Sequence, residues 1–121
     1  MITTTELFTT EHAADTLIIV PASDLSGLAY QPLDVGAGEL LLALEDASVK
    51  NVIVDLYRTD YFGSSALECF IRLWKRVAER HGHMVLCNVS ETEKEILQTM
   101  RLDHLWPICR SRAEAMRNLC A

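Results

Sequence analysis

Two adjacent serines, Ser64 and Ser65, stand where the sequence predicts that a strand gives way to a helix. The segment DYFGSSALECF, residues 60–70, runs from strand-forming residues through Gly63 into an amphipathic helix. The first N–H groups of a helix lack intrahelical partners, and the helix dipole adds positive potential there. A serine hydroxyl can cap such an end, and a phosphate dianion is held more strongly. The residues therefore leave two interpretations open, a plain helix cap and a phosphorylated switch.

Strands and helices alternate around these serines. Apolar runs rich in β-branched residues predict buried strands, and a 3.6-residue apolar period predicts helices. The strand candidates are TLIIVPA with LFTTEHA as its hairpin partner, NVIV, HMVLCNV and PICR, and the helix candidates are residues 37–48, the segment after the serines, the segment after Ser90, and 113–119. This order predicts an α/β fold with a mixed, mostly parallel sheet of about five strands and about four helices. We expect one domain over residues 1–121.

Local signals predict where the elements begin and end. Ser90 with Glu93, and Ser111 with Glu114, have the spacing of capping boxes. Gly82 follows a basic last turn and is expected at the C′ position of the helix after the serines. Turn-forming residues accumulate between Asp24 and Gly38, including Asp34, and predict a loop that could contribute to a partner interface.

Composition excludes several classes of partner. Seventeen acidic and 11 basic residues give a net charge of −6, which argues against nucleic acid and anionic membranes as partners. No apolar run approaches the roughly 20 residues of a membrane helix. The N-terminus lacks a basic segment followed by an apolar one, so a cytoplasmic protein is expected.

The sequence offers no constellation for catalysis. GSSAL lacks the second glycine of a nucleophile elbow, and no phosphate-binding loop with lysine is present. His81 and His83 straddle a helix end and a strand start, where ordinary polar roles are favoured over metal binding. We therefore expect no enzyme activity, no metal and no cofactor. Cysteines on apolar faces are usually small core residues, which is the role expected for Cys69, Cys87 and Cys109.

The pattern from about Asn51 to Leu119 resembles a STAS domain, the fold of anti-sigma factor antagonists. Typical members carry an apolar strand with an Asp-Leu pair, a short stretch ending in Asp-Ser-Ser-Gly, and then an amphipathic helix. Here the corresponding pieces are NVIVDL and DYFGSSALECFIRLWKRVAERHGHMVL, followed by a helix whose end, LDHLWPI, is also similar. TLIIVPASDL fits the early strand of the family.

The resemblance implies a switch that acts through protein binding. In the family, the second serine of the motif is phosphorylated by a serine kinase that is also the anti-sigma factor, and a serine phosphatase reverses this. The unphosphorylated form binds the kinase and so frees a sigma factor. The matching residue here is Ser65, with Ser64 as the first serine and second candidate acceptor. The implied partner surface consists of Asp60, Gly63, Ser64, Ser65, Ala66 and Leu67.

Two positions of the motif differ from the family pattern. The family's Asp is Gly63 here, and its Gly is Ala66. Gly63 offers no side chain to cap the helix, a task that Ser64 could take over, and Ala66 adds a methyl group beside the expected partner surface. A STAS scaffold that is never phosphorylated, and a module that binds a small ligand or nucleotide at the helix N-terminus, are the alternatives.

Overall fold

A computed structural model describes the backbone of residues 2–4, 8–21 and 38–120. Within these ranges the side chains are described except at 2–4, 64, 65 and 120. The predicted loop after Asp24, with Asp34, lies outside the described residues.

Six strands and four helices are found within the described residues. The strands are β1 (Ile2–Thr4), β2 (Phe8–Ala13), β3 (Thr16–Pro21), β4 (Asn51–Asp55), β5 (Met84–Cys87) and β6 (Ile108–Cys109). The helices are α1, described over residues 38–43, α2 (Ser64–Glu79), α3 (Glu91–Thr99) and α4 (Arg112–Cys120). The predicted order of elements is confirmed, with β1 as an additional strand. The Thr-rich segment that forms β1 does not alternate apolar and polar residues, so no pattern in the sequence predicted this strand.

All six strands form one sheet in the order β1-β2-β3-β4-β5-β6. The first three are antiparallel neighbours, and β3 pairs with β2 from Ala13↔Thr16 to Phe8↔Pro21 across a hairpin. From β3 onward the strands are parallel, each joined to the next through a helix. The sheet is therefore mixed and mostly parallel, as the alternation of strands and helices predicted.

One face of the sheet is covered by α1, α2 and α3, and we call it the three-helix face. Strand residues point alternately to opposite faces, so every second residue of β3, β4 and β5 enters this core. Phe62, Phe70 and Trp106 fill its centre, with edge-to-face contacts from Phe70 to the other two rings. The core strand residues are Leu17, Ile19, Val52, Val54, Met84 and Leu86.

The opposite face is covered by α4, and we call it the α4 face. The intervening strand residues Ile18, Val20, Ile53, Val85, Cys87 and Cys109 are buried there with Ala115. Met116 and Leu119 pack at the edge of this cluster. Burial on both faces explains why β3, β4 and β5 are continuous apolar runs rather than alternating ones.

Helix α2 ends one residue earlier than predicted. Arg80 is the C-cap, and the left-handed C′ residue is His81, with φ 62°, not Gly82. The N–H of Gly82 donates to the carbonyl of Val77, and that of His81 to Ala78, which is the Schellman pattern. Glycine is required at 82 for another reason, because an added Cβ would lie 1.7 Å from the carbonyl oxygen of Lys50.

Among the described residues, no helix combines the length and the apolar character needed to cross a membrane.

Candidate functional site

The turn that carries the serines begins where β4 ends, and we call residues 56–65 the serine turn. Strand pairing stops at Asp55, so residues 56–63 form a loop and the expectation of a strand reaching Tyr61 and Phe62 is wrong. The loop turns one side chain in three inward: Leu56, Thr59 and Phe62 are buried. A period of three cannot be satisfied by a strand, whose side chains alternate with a period of two.

The second half of the loop is fixed to the start of α3. The capping box predicted at Ser90 and Glu93 is confirmed, because the Ser90 hydroxyl accepts from the N–H of Glu93 while the Glu93 carboxylate accepts from the N–H of Ser90. Glu93 is fully buried and also accepts from the Thr59 hydroxyl at 2.8 Å. The Ser90 hydroxyl donates in turn to the carbonyl of Asp60, also at 2.8 Å. Two loop residues are thereby held by the helix that begins next to them.

The first half of the loop is fixed through Asp55. One carboxylate oxygen accepts from the N–H of Tyr57 at 3.1 Å and from the side-chain amide of Asn88 at 2.9 Å. The other accepts from Arg112 Nε at 3.0 Å. In the sequence, Asp55 is distinctive only as the Asp of the family's Asp-Leu pair, and its role was not predicted because its partners lie 33 and 57 positions away.

Helix α2 begins directly after the loop, and its N-cap is Gly63 rather than Ser64. Gly63 has extended backbone angles, φ −98° and ψ −173°, and makes no side-chain cap bond. Ser64 is therefore the first helical residue, and the interpretation of it as the cap is wrong. The first turn of α2 contains no acidic residue. Because the side chains of Ser64 and Ser65 lie outside the description, phosphorylation at either serine stays a prediction.

Two residues expected on the partner surface are directed into the protein. Ala66 and Leu67 belong to the core of the three-helix face, with 0% and 4% of their surface exposed. Their side chains cannot contact a docked protein in this conformation, and the Ala66 methyl group is no obstacle to one. Gly63 is half-buried and Asp60 is exposed, so both remain candidates for contact.

The exposed part of the loop contains residues that sequence analysis did not select. Tyr57 is 61% exposed and Tyr61 is 41% exposed, and Arg58 is exposed between them. Because Leu56, Thr59 and Phe62 point inward, the residues between them point outward. The repeat of inward residues at every third position was the signal that could have found them.

The cysteines expected in the core are buried there. Cys69 lies in the three-helix core, while Cys87 and Cys109 face α4 as paired neighbours on β5 and β6. Burial, followed by the negative charge of Asp55, raises the pKa of the Cys87 thiol to about 12. Since the thiolate is the reactive form, Cys87 is inert near neutral pH, as its structural role requires.

Comparison with known proteins connects this arrangement to one family. Residues 10–115 match the family model described as STAS domain. The Bordetella bronchiseptica protein BtrV, named as a candidate anti-sigma factor antagonist, is 28% identical over 75 residues. That match covers 62% of this chain and 65% of BtrV, just under two thirds of its length.

Two solved structures have the same fold. An anti-sigma-factor antagonist (STAS) domain protein from Planctomyces limnophilus is 27% identical, with a TM-score of 0.79 over 94% of this chain and 98% of that one. The Bacillus cell fate determinant SpoIIAA, in its phosphorylated form, is 18% identical, with a TM-score of 0.70 over 92% and 97%. Since the family match runs from β2 into α4 and so includes the serine turn, the chain belongs to the STAS domain family and has the fold of anti-sigma factor antagonists.

Proposed function

We propose that this protein is a cytoplasmic regulator that binds a serine kinase acting as an anti-sigma factor. The unphosphorylated form binds the kinase, which indirectly frees a sigma factor. The kinase phosphorylates Ser65, with Ser64 as a second acceptor, and a serine phosphatase restores the free hydroxyl. The protein has no catalytic activity of its own and acts as a single STAS domain over residues 1–121.

The observation that carries this proposal is the start of α2. Its N-cap, Gly63, provides no side-chain acceptor, and its first turn contains no acidic residue. A helix N-terminus favours negative charge through its N–H groups and its dipole, so a phosphate on Ser65 is tolerated within the fold. The phosphorylated form in which SpoIIAA has been solved, and the naming of BtrV, support the same interpretation for this chain.

The exposed loop supplies a surface on which a kinase could dock. Tyr57, Arg58 and Tyr61 are of the residue types that carry most binding energy in protein interfaces. They are presented by a loop that is hydrogen-bonded at both ends, so little conformational freedom is lost when it docks. A dianion on Ser65 enters an interface fitted to a neutral hydroxyl, and its desolvation and like-charge repulsion weaken the complex.

The test is the affinity of the Ser65→Asp variant for an anti-sigma serine kinase from the same organism, measured by calorimetry. We expect binding to weaken by about a hundredfold or more, since a charge is buried without a partner. Ser65→Ala should bind as the wild type does. A thermal melt of each variant checks folding, and Ser65→Asp should melt no lower, because an acidic residue in the first turn suits the helix dipole.

Phosphorylation itself is tested by intact-mass analysis after incubation with the kinase and ATP. We expect one added phosphate on the wild type and none on Ser65→Ala. Binding without phosphate transfer would instead identify a constitutive STAS scaffold. Equal affinity of Ser65→Asp and wild type for the kinase would remove the switch.

A further inference from the structure

The carboxylate of Asp55 joins three segments that are distant in sequence. Its side chain is only 2% exposed, and it accepts hydrogen bonds from Tyr57 in the serine turn, Asn88 in the β5–α3 loop, and Arg112 at the start of α4. Asn88 reaches it from a left-handed backbone conformation, with φ 55°. A buried carboxylate with three donors is held in one orientation, since rotating it would leave donors unpaired.

Arg112 supplies the only charged donor to Asp55 among the bonds found in the described residues. It donates through Nε to Asp55 at 3.0 Å and through Nη1 to Glu11 of β2 at 3.1 Å. Arg112 is the first residue of α4, which lies on the α4 face of the sheet. The turn, by contrast, leads into α2 on the three-helix face. Asp55 therefore connects elements on opposite faces of the sheet.

The two halves of the turn have separate supports. Thr59 and the Asp60 carbonyl are bonded to α3 through Glu93 and Ser90. Tyr57 receives its backbone support from Asp55, which is held by Arg112 of α4 and by Asn88 of the β5–α3 loop. A displacement of α4 would therefore change the position of Tyr57 before that of Thr59.

We propose that Asp55 is a positioning residue through which helix α4 holds the first half of the serine turn, with Tyr57, in the shape that a partner binds. The partner in this statement is the kinase of the proposed function, on which this part of the inference rests. The hold of α4 on the turn itself depends on the hydrogen bonds alone.

The experiment compares Arg112→Gln with wild type by amide hydrogen exchange in the free protein. Without the guanidinium, one oxygen of the Asp55 carboxylate loses its donor, the carboxylate is held only by Asn88 and Tyr57, and its hold on the N–H of Tyr57 weakens. We expect exchange at Tyr57 to accelerate about tenfold, the effect of losing one hydrogen bond. Amides in the middle of β4 and in α3 should change by less than about twofold, because their bonds do not pass through Asp55.

Two variants separate positioning from general stability. Glu11→Gln removes the charge of the other partner of Arg112 and leaves the bond to Asp55, so Tyr57 should exchange at the wild-type rate. Arg112→Lys keeps a cation beside Asp55 and should recover most of the protection of Tyr57. A purely structural role would instead accelerate exchange throughout the chain and would make Glu11→Gln resemble Arg112→Gln.

Affinity for the kinase completes the test. We expect Arg112→Gln to bind the kinase about tenfold more weakly than wild type, and Glu11→Gln to bind equally well. Unchanged exchange at Tyr57 in Arg112→Gln, or acceleration spread uniformly over the chain, overturns the positioning role. Failure of the wild-type protein to bind any such kinase, with the local change at Tyr57 present, removes the proposed function and leaves the positioning role standing.

Discussion

Helices α2 and α3 begin at the same edge of the sheet and after neighbouring parallel strands, but their N-termini are built differently. Helix α3 has a complete capping box from Ser90 and Glu93, with Glu91 as a further acidic residue in its first turn. Helix α2 begins after Gly63, without a side-chain cap from that residue and without an acidic residue in its first turn. The first turn of α3 therefore contains carboxylates, and the first turn of α2 contains none.

In the proposed function, this difference separates a structural helix end from a regulated one. The carboxylate of Glu93 already occupies the place that an anion would take at α3, and it also holds the serine turn through Thr59. At α2, the dipole and the first N–H groups favour a negative charge that the first turn does not provide. The anion that α2 lacks is the one that phosphorylation of Ser65 would add.

The largest effect on stability is expected when the capping box at the N-terminus of α3 is disrupted. Glu93→Ala removes the acceptor of the Ser90 N–H and of the Thr59 hydroxyl, and it leaves a void in a fully buried position. We expect the free energy of unfolding to fall by about 3 kcal/mol, measured by urea denaturation. Exchange of the loop amides 59–61 should rise as well.

The matched control lies in the same helical turn. Glu91 is exposed, and its contact with Lys94 at 3.4 Å is a surface pair. Glu91→Ala should change stability by less than about 0.5 kcal/mol. A loss at Glu91 as large as that at Glu93 would mean that the charge near the helix end matters, and that the buried bonds do not.

Much of this arrangement could be predicted from the sequence because its signals are local. The capping box is recognised from Ser90 and Glu93 three positions apart, and the buried strands are recognised as short apolar runs. The motif around Ser65 likewise needed no distant residue to be recognised. Such patterns depend on the chain's own backbone geometry, which repeats from protein to protein.

The rest depended on contacts that no local pattern contains. Nothing near Asp55 indicates that Arg112 will meet it, and nothing near Thr59 indicates Glu93. The same holds for Gly82, whose lack of a side chain is required by the carbonyl of Lys50 rather than by the helix end. Ser64 was expected to be able to take over the cap because Gly63 has no side chain, but the helix begins one residue earlier, with Gly63 as its N-cap.

A smaller effect is expected when only the hydroxyl of the α3 cap is removed. Ser90→Ala loses the acceptor for the Glu93 N–H and the donor to the Asp60 carbonyl, while Glu93 keeps its bond to Thr59. We expect a loss of about 1 kcal/mol in the free energy of unfolding. Ser90→Asp should restore the cap but not the donor to Asp60, so its stability should lie between those of Ser90→Ala and wild type. If Ser90→Asp is no more stable than Ser90→Ala, the bond to the loop outweighs the cap.

The smallest effect is expected where the α2 end receives the cap that it lacks. Gly63→Asp places a carboxylate at the N-cap, in an extended conformation that any residue can adopt. We compare it with Gly63→Ala, which makes the same change in backbone freedom but adds no acceptor. The Asp variant should exceed the Ala variant by about 1 kcal/mol in unfolding free energy, and wild type by a few tenths. Equal stability of the two variants would mean that the N–H groups of α2 are already satisfied in the resting protein. In that case the two helix ends would differ in sequence but not in their capacity for an anion, and the case for a phosphate at Ser65 would lose its physical basis.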